Sequence, residues 1–228
     1  AVIAACGSHP VLAWIADGRL ALRDLDSGAP IAIDLVVDQL TAPAGRLVVK
    51  SRDAVLAVRL LRMGSRILAA TTLLASVLPQ ATRLLDGLIV QDMLGAAWVT
   101  VIAESGTHPV RVAALDGVEI LAGRLASKTA ALLVSCAGRY DTVLLNFNAD
   151  FSSFSIERER DVPPQEPQLV SLGDLLVHLQ EDGRLRLQRG SATRVVEDDA
   201  IRADCRLFTD GGLLLARGGV LYGARMRS

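Results

Sequence analysis

The most restrictive feature of this sequence is that it repeats itself. Gly7-Ser8-His9-Pro10-Val11 recurs 99 residues later as Gly106-Thr107-His108-Pro109-Val110, and the segments stay in register to Leu22 and Leu121 with seven identities in sixteen positions. A second match, at an offset of 165, sets Asp17-Gly18-Arg19-Leu20-Ala21-Leu22 against Asp182-Gly183-Arg184-Leu185-Arg186-Leu187. Both offsets are multiples of 33. A unit of that length cannot enclose a core alone, so it must stack on copies of itself.

Turn chemistry carries the period along the chain. Turn-forming residues between apolar runs fall at Asp17, Asp53, Asp86-Gly87, Asp116-Gly117, Asp150, Asp182-Gly183 and Asp210-Gly211-Gly212, each roughly one such period after the last. Asp-Gly accepts the positive φ angles of a type I′ turn, so each marks a hairpin. Apolar residues alternate in Arg19-Leu20-Ala21-Leu22-Arg23 and in Arg184-Leu185-Arg186-Leu187, the two-residue period of a strand. Further strands are predicted over 11–16, 31–37, 46–50, 55–61, 97–103, 110–115, 131–136, 142–147, 151–156, 175–180, 213–217 and 220–225. Residues 66–85 read as strand, although their Leu and Ala would also support a helix. Several runs are apolar without alternation, as in sheets covered on both faces, which accounts for a mean hydropathy of +0.38 without a membrane.

Hairpins of this kind build meanders of three or four strands. A ring of such sheets hides its first and last edges, whereas a parallel β-helix needs shorter coils with Asn or Gly ladders that the sequence lacks. The expected fold is therefore all-β: one β-propeller domain over 1–228, of about seven short blades with five or six as alternatives. Pairing of residues 1–5 with the C-terminal strands within 213–225 is expected to close it.

The run from Leu12 to Ile31 reads strand, Asp17-Gly18 turn, strand, Asp24-Leu25-Asp26-Ser27-Gly28, strand. It resembles a blade of the WD40 and quinoprotein-like propeller superfamily, and Gly7-x-His9-Pro10 is similar to the Gly-His of WD40 repeats. The Trp-Asp pair of those repeats is represented only by Arg23-Asp24, and 33 residues is short for a four-stranded blade, which usually takes about 40. Small Arg- and Ala-rich propellers of this type are similar to propeller components of bacterial conflict systems that accompany an ATPase and a von Willebrand A protein. That resemblance implies a place in a larger bacterial assembly.

Composition narrows the partners. With 24 basic and 25 acidic side chains, a net charge of −1 and 4% aromatics, the chain offers neither a basic field nor stacking platforms for nucleic acid. No stretch reaches 18 uninterrupted apolar residues, so no membrane partner is expected. Cys6, Cys136 and Cys205 are odd in number and lack metal-site spacing, which suits free thiols in a reducing cytoplasm. Cys6 and Cys136 stand about four periods apart and Cys136 and Cys205 about two, which predicts a similar strand position for all three. Residues 1–5 lack the charged start of a signal peptide, and a chain opening on Ala1 suits a processed product or a domain of something longer. Lys50 and Lys128 are the only lysines, an Arg-rich usage typical of high-GC bacterial coding.

Candidate chemistry is sparse. His9, His108 and His178 are the only histidines, and a three-His metal site is arithmetically available. Yet His9 and His108 occupy equivalent repeat positions and His178 lies in a Leu-rich strand, so structural hydrogen bonding is the better reading. Ser8 beside His9 and Ser105 near His108 lack the G-x-S-x-G elbow of a nucleophile. Asp24 with Asp26, Glu157 with Glu159 and Asp198 with Asp199 could pair about 7 Å apart on a strand face, but they read as solvated turn acids. No calcium loop or phosphate-binding glycine motif is present, so no catalytic residue, metal or cofactor is expected.

One segment departs from tight connections. Residues 157–167 run Glu-Arg-Glu-Arg-Asp-Val-Pro-Pro-Gln-Glu-Pro, hold three of the eight prolines and are longer than a hairpin needs. They read as a projecting loop, with Arg158 and Arg160 as candidate partner-docking residues, since Arg is favoured at protein interfaces. The expected function is a non-catalytic propeller serving as a protein-interaction scaffold. The alternative is a propeller enzyme or glycan-binding protein whose site lies at the central opening.

Overall fold

The computed structural model describes residues 1–162, 168–172, 175–180, 183–189, 192–196, 206–209, 213–217 and 220–224, the last three segments as backbone alone. Among them, 23 strands form six antiparallel sheets, and within each sheet every strand pairs with its chain neighbour. The chain divides into two compact units, 1–117 and 118–228.

The first unit holds three four-stranded sheets. They are β1 (Val2–Cys6), β2 (His9–Ala16), β3 (Arg19–Asp24) and β4 (Pro30–Ile31); β5 (Gln39–Thr41), β6 (Leu47–Ser51), β7 (Ala54–Met63) and β8 (Arg66–Ser76); and β9 (Thr82–Leu85), β10 (Leu88–Met93), β11 (Ala96–Ala103) and β12 (Gly106–Arg111). Alternation supplies the buried faces: Val11 and Ala13 of β2 and Leu20 and Leu22 of β3 are buried. They join Val49 and Val58 in one cluster between the first two sheets. Val48 and Val55 meet Leu84, Ile89 and Ile102 in a second cluster that covers the other face of the middle sheet. Arg46 donates across that contact to the carbonyls of Ile102, at 3.2 Å, and Ala103, at 3.4 Å.

The second unit holds β13 (Glu119–Ala126), β14 (Thr129–Cys136), β15 (Arg139–Phe147) and β16 (Phe154–Glu159), then β17 (Gln168–Leu172), β18 (Leu175–Leu179), β19 (Leu185–Arg189) and β20 (Ala192–Val196). A three-stranded sheet follows: β21 (Arg206–Thr209), β22 (Leu213–Arg217) and β23 (Val220–Ala224). Residues 129–134 of β14 are all buried, the two-sided covering that its unbroken apolar run implies. Ala126, Ala131 and Leu144 pack on Leu169 of the neighbouring sheet.

The structure corrects the spacing of the repeat. The sheets begin at Val2, Gln39, Thr82, Glu119, Gln168 and Arg206, so the unit has the ordinary four-stranded length of about 40 residues and exceeds the period read from the turns. The offset of 165 spans four whole sheets, because Gly18 and Gly183 both lie between second and third strands, each with a positive φ. The offset of 99 does not: Gly7 turns β1 into β2, while Gly106 opens β12, the fourth strand of its sheet. Similar hairpin chemistry at different strand positions produced that match.

Individual elements shift as well. Residues 66–85 hold β8 and β9, joined by a connection over 77–81, and no helix. The strand expected at 31–37 shrinks to Pro30–Ile31, and 113–115 form a short 3-10 turn after β12. The ladders put β1 beside β2 in a four-stranded sheet, and among the described residues β21–β23 make a sheet of three.

Candidate protein interface

The β15–β16 hairpin places Arg158 and Arg160. Arg158 stands opposite Val143, so Asp141 lies one diagonal step away on the same face of the pair. Its Nε donates to Asp141 Oδ2 at 2.6 Å, and Asp141 Oδ1 accepts the Asp161 amide at 3.0 Å. Burial works to raise the Asp141 carboxyl, but the Asp161 amide and the Arg158 guanidinium outweigh it and hold the group below the ordinary Asp range. Asp161 adopts a φ of +56°, and the next amide, of buried Val162, donates to the Tyr140 carbonyl at 2.8 Å.

This alters the reading of the 157–167 segment. Residues 157–159 are edge strand, and 160–162 are tied back onto β15, so no loop projects before residue 163. Alternating Glu and Arg show no apolar face, yet each can be satisfied across the ladder of an edge strand. Residues 163–167 lie outside the described residues. Arg158 is committed to Asp141, whereas Arg160 is exposed at the end of the strand.

Glu157 begins a polar seam to the fifth sheet. Its Oε1 accepts Asn146 Nδ2 at 3.0 Å, its Oε2 accepts Arg186 at 2.7 Å, and Thr129 Oγ1 donates to Asn146 Oδ1 at 2.9 Å. Opposite Arg186 in the ladder stands His178, buried, with Nδ1 lacking a partner among the described residues. Burial first, and the Arg186 charge second, push its pKa from 6.5 down to about 4, against a smaller opposing pull from Glu157. Sequence reasoning missed Asp141, Asn146 and Arg186. The signal was an acid and an amide inside the otherwise apolar β15, where a buried polar group needs a partner.

The remaining candidates serve local structure. His9 Nδ1 bonds Asp26 Oδ2 at 2.6 Å from the start of β2, and His108 Nε2 bonds Ser105 Oγ at 2.8 Å within β12, so the two are not repeat-equivalent. Asp24 accepts from the Asp26 amide and from Ser27 Oγ, and the Ser27 bond chiefly lowers its pKa. Among the described residues no trio of His, Cys, Asp or Glu could hold a metal. Cys6 is a buried free thiol and Cys136 an exposed one, each ending a strand before a hairpin turn. Cys205, Asp198, Asp199, Asp182 and residues 210–212 lie outside the described residues. In the first unit, a shallow depression of about 500 Å³ is lined by Trp14, Ile15, Gln39, Leu40 and Leu84 with Ala1 and Val2. Its one side-chain acceptor, Gln39 Oε1, already takes the Leu84 amide at 2.6 Å.

Four-stranded meanders that follow one another in the chain and pack face to face within each unit define an all-β protein of the β-propeller type. Solved propellers are similar to it. Hsv2p of Kluyveromyces lactis shares 13% identity at a TM-score of 0.49, over 95% of this chain and 76% of that one. BamB from Moraxella catarrhalis shares 12% at 0.44, over 96% and 82%. PorZ, a surface component of the type-IX secretion system of Porphyromonas gingivalis, shares 11% at 0.38, over 99% and 38%. No protein-family model and no curated protein matches the chain.

Proposed function

We propose that the six sheets close between the first and the last into one propeller domain that serves as a non-catalytic protein-interaction module within a larger bacterial, cytoplasmic assembly. Its docking surface is the β16 edge, with Arg160 as the partner-facing charge and Arg158 as the residue that holds the edge in place. The observation that carries this reading is the Asp141–Arg158 pair, which fixes β16 and the turn after it while leaving Arg160 exposed.

Capture experiments from the native host test it. Arg160→Glu should reduce recovery of the partner about tenfold or more without changing the unfolding midpoint. Arg158→Glu is a poorer probe, because it sets two carboxylates against each other and loosens the strand. Unchanged capture by Arg160→Glu overturns the assignment.

A further inference from the structure

We propose that the edge of β8 over residues 66–71, along which no strand pairs among the described residues, is a second docking site, which takes an extended strand of a partner protein carrying acidic and apolar residues in alternation. It is independent of the β16 edge. β7 and β8 are 10 and 11 residues long, but β6 pairs only with residues 54–58. Residues 59–63 and 66–70 therefore run on as a two-stranded arm. One face of the arm, with Leu60, Ile67 and Ala69, packs on the core of the first sheet. The opposite face carries Arg59, Leu61, Met63, Arg66, Leu68 and Ala70, and its Leu61, Met63 and Leu68 are 53%, 65% and 47% exposed.

Proteins guard exposed sheet edges with charge, proline or brevity. Here β4 has two residues, β12 contains Pro109 and β16 carries three charges. From Ile67 to Ser76, β8 has no charge, glycine or proline.

The backbone of this edge is also turned outward. The two-residue Gly64-Ser65 turn closes on the Met63–Arg66 pair, which exchanges hydrogen bonds, as do Leu61–Leu68 and Arg59–Ala70 by alternation. Ile67, Ala69 and Thr71 then point their amides and carbonyls away from β7. An independent contact agrees: Cys6 Sγ donates to the Leu60 carbonyl at 3.4 Å, so Leu60, the partner of Ala69, faces away from β8. Groups of this kind are matched by another strand.

Charge selects the occupant. Residues 54–85 carry Arg59, Arg62, Arg66 and Arg83 and no acid, in a chain of net charge −1. Arg62 donates to the Gly64 carbonyl at 3.0 Å, while Arg59 and Arg66 flank Leu61 and Leu68 on the outer face. A strand added about 4.8 Å from β8 sets its same-face residues beside Arg66, Leu68 and Ala70. An acid, an apolar residue and a second acid match that series, because the methyl of Ala70 lets Arg59 reach past it. A second copy of this edge would bring no carboxylate to these arginines.

The test uses the full chain, isotope-labelled, and the blocked peptide Thr-Glu-Thr-Leu-Thr-Glu-Thr, which reads alike in both directions. Amide shifts should concentrate in β8, and replacing both Glu by Lys should weaken binding about tenfold or more. Thr71→Pro removes an outward amide and no β7 ladder bond, so it should abolish binding with circular dichroism unchanged. Combined Arg59→Glu and Arg66→Glu should shift preference to the Lys peptide, a readout that stands if the proline variant fails to fold. Arg160→Glu should leave peptide binding intact, which separates this site from the β16 edge. The proposal is overturned by no shifts at about 1 mM peptide, by equal binding of the two peptides, or by unchanged binding to Thr71→Pro. Dimerisation through this edge, or vesicle binding in place of peptide binding, overturns it equally.

Discussion

The fold resists protonation of His178. Its pKa falls from 6.5 to about 4 in the folded protein, so between those values the unfolded chain binds the proton better. Stability is full above pH 6.5 and declines as pH drops toward 4, by about 3 kcal/mol in all if this group acts alone. Thermal melts across that window should show the slope, and His178→Leu should flatten it. Asp141, held below the ordinary Asp range, acts in a lower window: its contribution is present above about pH 4 and lost beneath it. Removing the Arg158 partner leaves that carboxylate uncompensated, so Arg158→Ala should cost about 1–3 kcal/mol in urea unfolding, and a cost near zero would show that water replaces the guanidinium. Leu94 is the converse case. It takes a φ of +56° before Gly95 and is fully exposed, so Leu94→Asn should stabilise the β10–β11 hairpin by about 1 kcal/mol.

At the scale of elements, legibility followed burial pattern. Residues that alternate, as in β3, or that are apolar throughout, as in β14, declared themselves, and Asp17-Gly18 carries the two positive φ angles, +50° and +73°, that its type I′ turn requires. Edge strands were harder to read. β12 holds a proline, β16 alternates charges and β5 has three residues, so each lacks the apolar rhythm that marks a strand. The site was half legible: Arg158 and Arg160 were singled out by residue type, but the commitment of Arg158 to Asp141 depends on the β15–β16 register, which composition does not encode. The β8 edge is not legible because a run without charge signals burial in sequence, and only the ladder reveals that no strand pairs with the far side of residues 66–71 among the described residues.

For the whole molecule, the closure proposed above makes a prediction about size and cooperativity. A single compact domain of this length should scatter with a radius of gyration of about 17 Å and melt in one calorimetric transition. Two transitions, or a markedly larger radius, would show the units 1–117 and 118–228 behaving as separate bodies. The corrected, longer repeat bears on descent, since the offset that spans whole sheets is the one in which position within the sheet is kept. Because every ladder joins neighbours in the chain, each sheet can complete its hydrogen bonds as soon as its last strand leaves the ribosome, roughly 2–8 s of synthesis apiece. Its faces stay bare until the following sheet is translated, so chaperone demand should come in pulses, one per sheet, along the nascent chain.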